Sequence, residues 1–126
     1  MLPAAAAKNI LLVEDDQPSR DLYRSALQRG GHTVVTAEDG MAALRAIGLA
    51  VPQLIVLDMM LPKLSGRDVL RELRANPETR HVPVIIITGA DVRNLAERAG
   101  ILVLQKPFAL AVLVDAVDDA VRRASE

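Results

Sequence analysis

The chain of 126 residues contains no cysteine, no tryptophan and only two aromatic side chains, Tyr23 and Phe108. The absence of cysteine excludes disulfides, thiolate metal ligands and cysteine nucleophiles; because it fits a reducing compartment, we expect a cytoplasmic protein. So few aromatic rings provide no platform on which bases or sugars could stack. The core must therefore be built from Val, Ile, Leu and Ala.

The chain also lacks a charge excess and a long apolar run. Fifteen Lys and Arg against sixteen Asp and Glu give a net charge of -1, so we expect no direct binding to nucleic acid. No apolar run approaches the roughly 20 residues that cross a bilayer. The start, "MLPAAAAKNI", has no basic segment followed by a long apolar core. We therefore expect a soluble protein without membrane insertion.

Short apolar runs rich in β-branched residues recur along the chain and predict five strands. Most of them lack polar alternation, which is typical of strands covered on both faces in a parallel sheet. The predicted strands lie at residues 10–13, 33–37, 54–57, 84–87 and 101–104.

Segments with helical spacing follow each predicted strand. The first helix begins near Pro18 and stops at Gly30, with an apolar stripe of Leu22, Tyr23, Ala26 and Leu27. The others are predicted after Gly40, after Gly66, over residues 92–99 and from about Phe108.

The alternation of strand and helix predicts an α/β fold, a three-layer (βα)5 sandwich of the flavodoxin-like type. Right-handed crossovers favour a five-stranded parallel sheet in the order 2-1-3-4-5. We expect a disordered N-terminal end at residues 1–7 and one domain over residues 8–126.

Polar side chains follow the predicted strands at the points where the strands end. They are Glu14, Asp15 and Asp16 after the first strand, Asp58 after the third, Thr88 after the fourth and Lys106 after the fifth. Carboxyl ends of parallel strands share one edge, where sites form near the switch in strand order. Because the first and third strands are predicted neighbours, Asp15 and Asp58 should converge. Two unit charges about 4 Å apart repel by about 4 kcal/mol near a surface, enough to recruit a cation.

Oxygen ligands without His or Cys favour a hard divalent ion, and Mg²⁺ commonly combines one or two carboxylates with phosphate oxygens. Lys106 would offer such a phosphate an ammonium group, and Thr88 a hydroxyl donor. A carboxylate in this position can act as the nucleophile and form an aspartyl-phosphate, and Asp58 is best placed to do so. Asp58 taken alone could be a solvent-facing strand end, and Asp16, close to Pro18, is better explained as a helix cap.

Four stretches at these strand ends, "ILLVEDD", "LIVLDMMLPKLSG", "VIIITGA" and "LQKPF", resemble a response regulator receiver domain, the phosphoacceptor of two-component signalling. The resemblance spans nearly the full length. It implies that Asp58 is phosphorylated and that Glu14 and Asp15 form the acidic pair, Glu14 acting through water. It also implies that the Met60 carbonyl completes a site for Mg²⁺ or Mn²⁺.

The same resemblance implies partners and contacts for the phosphoryl group. The donor would be a sensor histidine kinase or a histidine phosphotransfer protein, and Thr88 and Lys106 would contact the phosphoryl group on Asp58. The bond between Lys106 and Pro107 would be cis. The predicted fourth helix, fifth strand and last helix would carry the signal to an effector or output domain that the sequence does not identify, or into a homodimer.

Two features depart from the family pattern, and two further positions bear on hydrolysis. Val103 stands where receivers commonly have an aromatic residue, and the stretch from 88 to 106 is several residues short, which should truncate the predicted fourth helix or its loop. Met60 and Ala90 flank the site, and neither side chain can orient an attacking water, so we expect slow hydrolysis of the aspartyl-phosphate.

Other functions fit less well. A hydrolase of the haloacid dehalogenase type needs a second acid at the position of Met60, so we expect no enzyme activity beyond phosphoryl transfer onto Asp58 and its slow hydrolysis. A flavodoxin would need a phosphate-cradling loop where "VEDDQPS" stands, and a dinucleotide fold would need G-x-G-x-x-G there. A receiver-like interaction module that is never phosphorylated remains the alternative.

The two histidines and one polar stretch are not expected to have a catalytic or binding role. His32 and His81 both precede predicted strands, at the edge opposite the acids, so neither is expected to be catalytic or a metal ligand. Residues 74–81, "RANPETRH", are expected to form a solvated connection.

Overall fold

The computed structural model describes residues 9–89 and 100–124. Five strands and four helices lie within them: β1 Asn9–Val13, α1 Gln17–Arg29, β2 Thr33–Ala37, α2 Gly40–Leu49, β3 Leu54–Asp58, α3 Gly66–Ala75, β4 Val84–Thr88, β5 Ile101–Gln105 and α4 Leu110–Ala124. All five predicted strands are confirmed with bounds within one residue. The helix predicted over 92–99 and the disordered end predicted for 1–7 lie outside the described residues.

The strands form one parallel sheet in the order β2-β1-β3-β4-β5, as predicted. Leu11 of β1 pairs with Val35 on one side and with Ile55 on the other, which makes β1 an inner strand beside the central strand β3. Because every strand runs the same way, all their last residues lie along one edge, named here the carboxyl edge. Their first residues lie along the opposite edge, the amino edge.

Successive residues of each inner strand face different helix layers. One half of the core packs under α1 and α4 and contains Ile10, Leu12, Leu54, Val56, Ile85 and Ile87. The other half packs under α2 and α3 and contains Leu11, Val13, Ile55, Leu57, Val84 and Ile86. Burying each such side chain contributes about 1.5–3 kcal/mol, so the central strands are firmly held and fix the direction in which their last residues point.

Three helices begin at side chains that accept hydrogen bonds from the first turn. Asp16 accepts from the Ser19 N–H at 3.0 Å and caps α1, which confirms the capping role predicted for it. Asp39 caps α2, and Ser65 caps α3. These caps fix where each helix starts at the carboxyl edge.

The structure corrects one expectation about solvent exposure and refines another. Leu22, predicted in the apolar stripe of α1, is 53% exposed, whereas Tyr23 is buried and its ring stacks on Phe108 with centroids 5.8 Å apart. The connection at 74–81 is mostly exposed, as expected, but Thr79 within it is buried and donates to the Leu73 carbonyl at 2.7 Å. A turn that looks polar in sequence therefore closes the end of α3.

Two backbone features lie near the carboxyl edge. The Lys106–Pro107 peptide bond is cis, as the family resemblance implied. Lys63 adopts a positive φ of 66°. No helix among the described residues has both the length and the apolar character needed to cross a bilayer.

Candidate functional site

Three carboxylates meet at the carboxyl edge. Glu14 directly follows β1 and Asp58 ends β3; the pairing of Val13 with Leu57 places these two acids side by side. Asp15 joins them, and one oxygen from each of the three lies within 4.8 Å of the others. Asp58 is only 3% exposed and Glu14 is fully buried, whereas Asp15 faces solvent. The predicted convergence of Asp15 and Asp58 is confirmed.

Lys106 enters this cluster from the end of β5. Its Nζ lies 2.8 Å from Glu14 Oε1 and 3.0 Å from Asp58 Oδ2, so one ammonium group binds two buried carboxylates. The backbone places it there, because the Lys106 N–H donates to the Thr88 carbonyl at 2.8 Å and Gln105 pairs with Thr88. β5 thus places the Lys106 ammonium group beside the acids at the ends of β1 and β3.

Burial and mutual repulsion change the protonation of these groups. Desolvation, reinforced by Asp58, raises the pKa of Glu14 to about 7 even though Lys106 acts to lower it. Burial alone would lower the pKa of Lys106, but its hydrogen bonds to Glu14 and Asp58 outweigh that effect and raise it. The two shifts differ in origin: burial dominates at Glu14, and the two neighbouring carboxylates dominate at Lys106. Near neutral pH, Glu14 therefore holds a proton part of the time.

The two oxygens of Asp58 have different partners. Oδ1 accepts from the Met60 backbone N–H at 2.9 Å, and Oδ2 accepts from Lys106. These bonds, together with the buried strand behind it, fix the rotation of the carboxylate. Thr88, fully buried at the end of neighbouring β4, belongs to the same edge. The Met60 side chain is 64% exposed beside the site, whereas Ala90 lies outside the described residues.

Sequence reasoning missed two interactions, one at the cluster and one between the loop after β3 and the start of α2. Arg20 of α1 donates through Nη1 to the Glu14 carbonyl at 2.9 Å and to the Asp15 carbonyl at 3.3 Å, which braces the loop that carries both acids. Lys63 lies 3.3 Å from Asp39. The Asp39–Gly40 pair was recognisable only as a helix start, and no local pattern marks Arg20 or Lys63.

The histidines lie away from the cluster, as their positions in the sequence indicated. His32 precedes β2 at the amino edge, where its buried Nε2 lies 3.0 Å from Asp118 Oδ1 of α4. His81 precedes β4 and is exposed. Val103, at the position where an aromatic residue was expected, lies half-buried on β5.

The fold and the order of residues along the carboxyl edge match a known family. Residues 10–118 match the family model of the response regulator receiver domain. The chain belongs to this family. The receiver domain is 37% identical over 120 residues to the response regulator MprA of Mycobacterium ulcerans, a match that covers 90% of this chain and 50% of that protein. The chain therefore spans about half the length of the curated relatives it matches.

Solved receiver structures agree with the fold. The signal receiver domain of a signal transduction histidine kinase from Syntrophus aciditrophicus is 29% identical with a TM-score of 0.84, covering 93% of this chain and 92% of that one. The receiver domain of the sensor histidine kinase PA1611 from Pseudomonas aeruginosa, described with a magnesium ion coordinated in its active site cleft, is 29% identical with a TM-score of 0.80, covering 92% and 98%. The flavodoxin-like α/β fold and the receiver resemblance are both confirmed.

Proposed function

We propose that this receiver domain is a phosphorylation switch in which Asp58 accepts a phosphoryl group from a phosphohistidine, in a Mg²⁺-dependent reaction. The donor is the phosphohistidine of a histidine kinase or of a histidine phosphotransfer protein. The observation that carries the proposal is the surroundings of Asp58, a carboxylate fixed at the end of the central strand with Lys106 at 3.0 Å and two more acids beside it. A carboxylate oriented by a lysine at a strand end is suited to attack phosphorus.

The residues present fit a divalent cation. Three carboxylates face one lysine in the cluster, so the group carries excess negative charge whether or not Glu14 is protonated. Asp15, Asp58 and the Met60 carbonyl would hold Mg²⁺, with Glu14 acting through water, and Mn²⁺ could replace it. The bound ion would neutralise charge on the phosphoryl oxygens and on the acids.

The chain's own residues then perform the transfer. An oxygen of Asp58 forms a bond to phosphorus while the bond from phosphorus to the donor imidazole breaks. The imidazole nitrogen keeps the electron pair of that bond and takes up a proton. Lys106 moves from Asp58 Oδ2 to a phosphoryl oxygen, and the Thr88 hydroxyl donates to another. The domain acts as an enzyme only on itself, through this step and the slow hydrolysis of its product.

The phosphoryl group would add negative charge to an edge whose carboxylates Lys106 neutralises only in part. We expect that change to bias the surface of β5 and α4 toward a new partner, an output domain or a second copy of the chain; the helix predicted over 92–99, which the family resemblance adds to this surface, lies outside the described residues. Val103 cannot supply the reorientation of an aromatic ring that many receivers use, so the response of this domain must differ from theirs at that step.

The test is phosphorylation by small donors followed by intact mass. Wild type incubated with Mg²⁺ and either acetyl phosphate or phosphoramidate, which carries a phosphorus–nitrogen bond, should gain one phosphoryl group. Asp58→Ala should gain none, whereas Asp119→Asn, which changes a partly exposed acid of α4, should behave as wild type. An adduct on Asp58→Ala, or none on wild type, would overturn the proposal. Mg²⁺ binding without an adduct would favour the unphosphorylated interaction module.

A further inference from the structure

We propose that Lys63 and Asp39 are positioning residues for the divalent-cation site: their ion pair fastens the loop that presents the Met60 carbonyl. This loop, Met59–Ser65, joins β3 to α3 and is named here the site loop. The inference rests on the function proposed above, and it assigns a role to two residues that contact neither phosphorus nor the ion.

The backbone of Lys63 shows that the site loop is held from outside. Among residues 9–89 and 100–124 it is the one non-glycine residue with a positive φ, at 66°. Lysine disfavours this left-handed conformation, which glycine adopts freely. A disfavoured conformation persists only where the surrounding structure over-determines it. A contact with the surrounding structure must therefore stabilise the backbone conformation of Lys63, and the Lys63 side chain makes one.

That interaction is the ion pair with Asp39. Lys63 Nζ lies 3.3 Å from Asp39 Oδ2, while Asp39 Oδ1 accepts from the Ala42 N–H at 2.7 Å. The Asp39 side chain is only 6% exposed, so it is a fixed anchor at the start of α2, although the Lys63 side chain is 66% exposed. An ion pair between two mobile surface groups would stabilise little. Here one partner is already immobile, so ordering the lysine costs less.

Close packing surrounds the same loop. A Cβ added at Gly40 would lie 2.0 Å from the Leu64 carbonyl oxygen, so the site loop touches the first turn of α2. A Cβ at Gly66 would lie 2.5 Å from the Asp58 carbonyl oxygen. Glycine at both positions lets the loop lie against the two helix starts.

Met60 lies inside this clamped segment. Its N–H is bonded to Asp58 Oδ1, and the Met59 carbonyl accepts from the Gly66 N–H at 3.3 Å. Lys63 is three positions further along the chain. Releasing residue 63 from Asp39 would therefore free the part of the loop between Met60 and α3, and the Met60 carbonyl would be held less closely in the orientation that a cation requires.

Positioning and simple electrostatics predict opposite results for one variant. Lys63→Met removes a positive charge from the site loop, and the loss of a cation can by electrostatics alone only strengthen the binding of Mg²⁺. If Lys63 positions the site loop, the same variant should bind Mg²⁺ more weakly, by about tenfold. The sign of the change therefore separates the two effects.

The experiment is calorimetric titration of the whole chain with MgCl₂, at one pH, for matched variants. Lys63→Met should bind more weakly and Lys63→Arg should restore most of the affinity. Arg71→Met is the control, since it removes the cation of another 3.3 Å pair, with Asp68 on α3. Its affinity should equal that of wild type. Phosphorylation of Lys63→Met by acetyl phosphate should be slower at low Mg²⁺ and nearly normal at saturating Mg²⁺.

If Lys63→Met folds poorly, a second variant still tests the proposal. Asp39→Asn retains an oxygen to cap α2 but removes the charge that binds Lys63, and it too should weaken Mg²⁺ binding. The double variant should bind Mg²⁺ no more weakly than the weaker-binding single variant, because the two substitutions break the same contact. Equal or tighter Mg²⁺ binding by Lys63→Met overturns the inference. Failure of wild type to bind Mg²⁺ or to gain a phosphoryl group would instead overturn the proposed function.

Discussion

The two edges of the sheet each carry a buried titratable side chain bonded to a distant segment, but the charges are balanced differently. At the amino edge His32 meets one partner, Asp118, and its buried Nδ1 has no hydrogen-bond partner among the described residues. At the carboxyl edge Lys106 meets two carboxylates, with Asp15 beside them. The pair of His32 and Asp118 joins two elements of the fold. The cluster around Lys106 has more carboxylates than ammonium groups, so it keeps a net negative charge that a bound cation or a phosphoryl group can change.

The largest effect should come from removing the shared ammonium at the carboxyl edge. Lys106→Met should slow phosphorylation by acetyl phosphate by about 100-fold, since one donor to the developing charge is lost. It should also tighten Mg²⁺ binding, because two carboxylates lose their competing cation. Intact-mass time courses and calorimetry measure the two effects. Asp118→Ala should alter neither the phosphorylation rate nor the Mg²⁺ affinity. An equal loss of rate in Asp118→Ala would show that the two edges do not differ in this respect.

The next effect concerns α2, which starts at the carboxyl edge and runs toward the other. Gly40→Ala should lower the free energy of unfolding by about 3 kcal/mol, because its Cβ would overlap the Leu64 carbonyl. Gly48→Ala, whose Cβ would meet nothing within 4 Å, should raise it by about 0.5–1 kcal/mol. Urea unfolding measures the free energy of unfolding of both variants. If the two changes were equal, the close approach of Gly40 to Leu64 would not be needed for stability.

The pair at the amino edge should respond asymmetrically. Asp118→Ala leaves the buried His32 Nε2 without its acceptor and should lower the free energy of unfolding by about 2 kcal/mol. His32→Leu should cost less, because Asp118 is partly exposed and water can replace its partner. Urea unfolding of the two variants measures the difference. A larger loss for His32→Leu would mean that the ring is held by packing rather than by this bond.

A smaller effect should appear in the pH dependence of Mg²⁺ binding. Since the pKa of Glu14 is about 7, Mg²⁺ affinity should fall below that pH, by at most about tenfold per pH unit, as one proton competes with the ion. Calorimetry at several pH values, in buffers of different ionisation enthalpy, counts the proton released. Glu14→Gln should abolish the dependence, and a dependence that persists in it would assign the proton elsewhere.

The same shift predicts how this carboxyl affects stability without the ion. Its pKa is raised from 4.5 to about 7 in the folded chain, so the folded state holds the proton more tightly than the unfolded state. Its contribution to stability is therefore full below about pH 4.5 and is lost as the pH rises through 7.

The smallest effect should be on the lifetime of the product. Met60→Asn places an amide where an exposed thioether now stands, so it should orient water and speed dephosphorylation several-fold. Met60→Leu is the control and should leave the rate unchanged. An unchanged rate in Met60→Asn would refute the explanation of slow hydrolysis.

The carboxyl edge was largely predictable from the sequence, and the amino edge was not. Uninterrupted apolar runs mark inner parallel strands, and acids directly after them must lie at one edge, which is how Asp15, Asp58 and Lys106 were brought together. The pairing of His32 with Asp118 spans 86 residues and leaves no local pattern. The positive φ of Lys63 and the burial of Thr79 likewise depend on tertiary packing. Leu22 was misassigned because helical spacing does not fix how wide the buried stripe is.

The contact between Glu14 and Lys106 joins residues 92 positions apart, the first strand's end to the last strand's end. Loop closure over such a separation is costly before the intervening strands are in place, so this contact should be among the last to form during folding. A chain that has assembled only its first strands has the acids but not the lysine. If Asp58 is the phosphoacceptor proposed above, its full reactivity should therefore require that the sheet has assembled from β1 to β5.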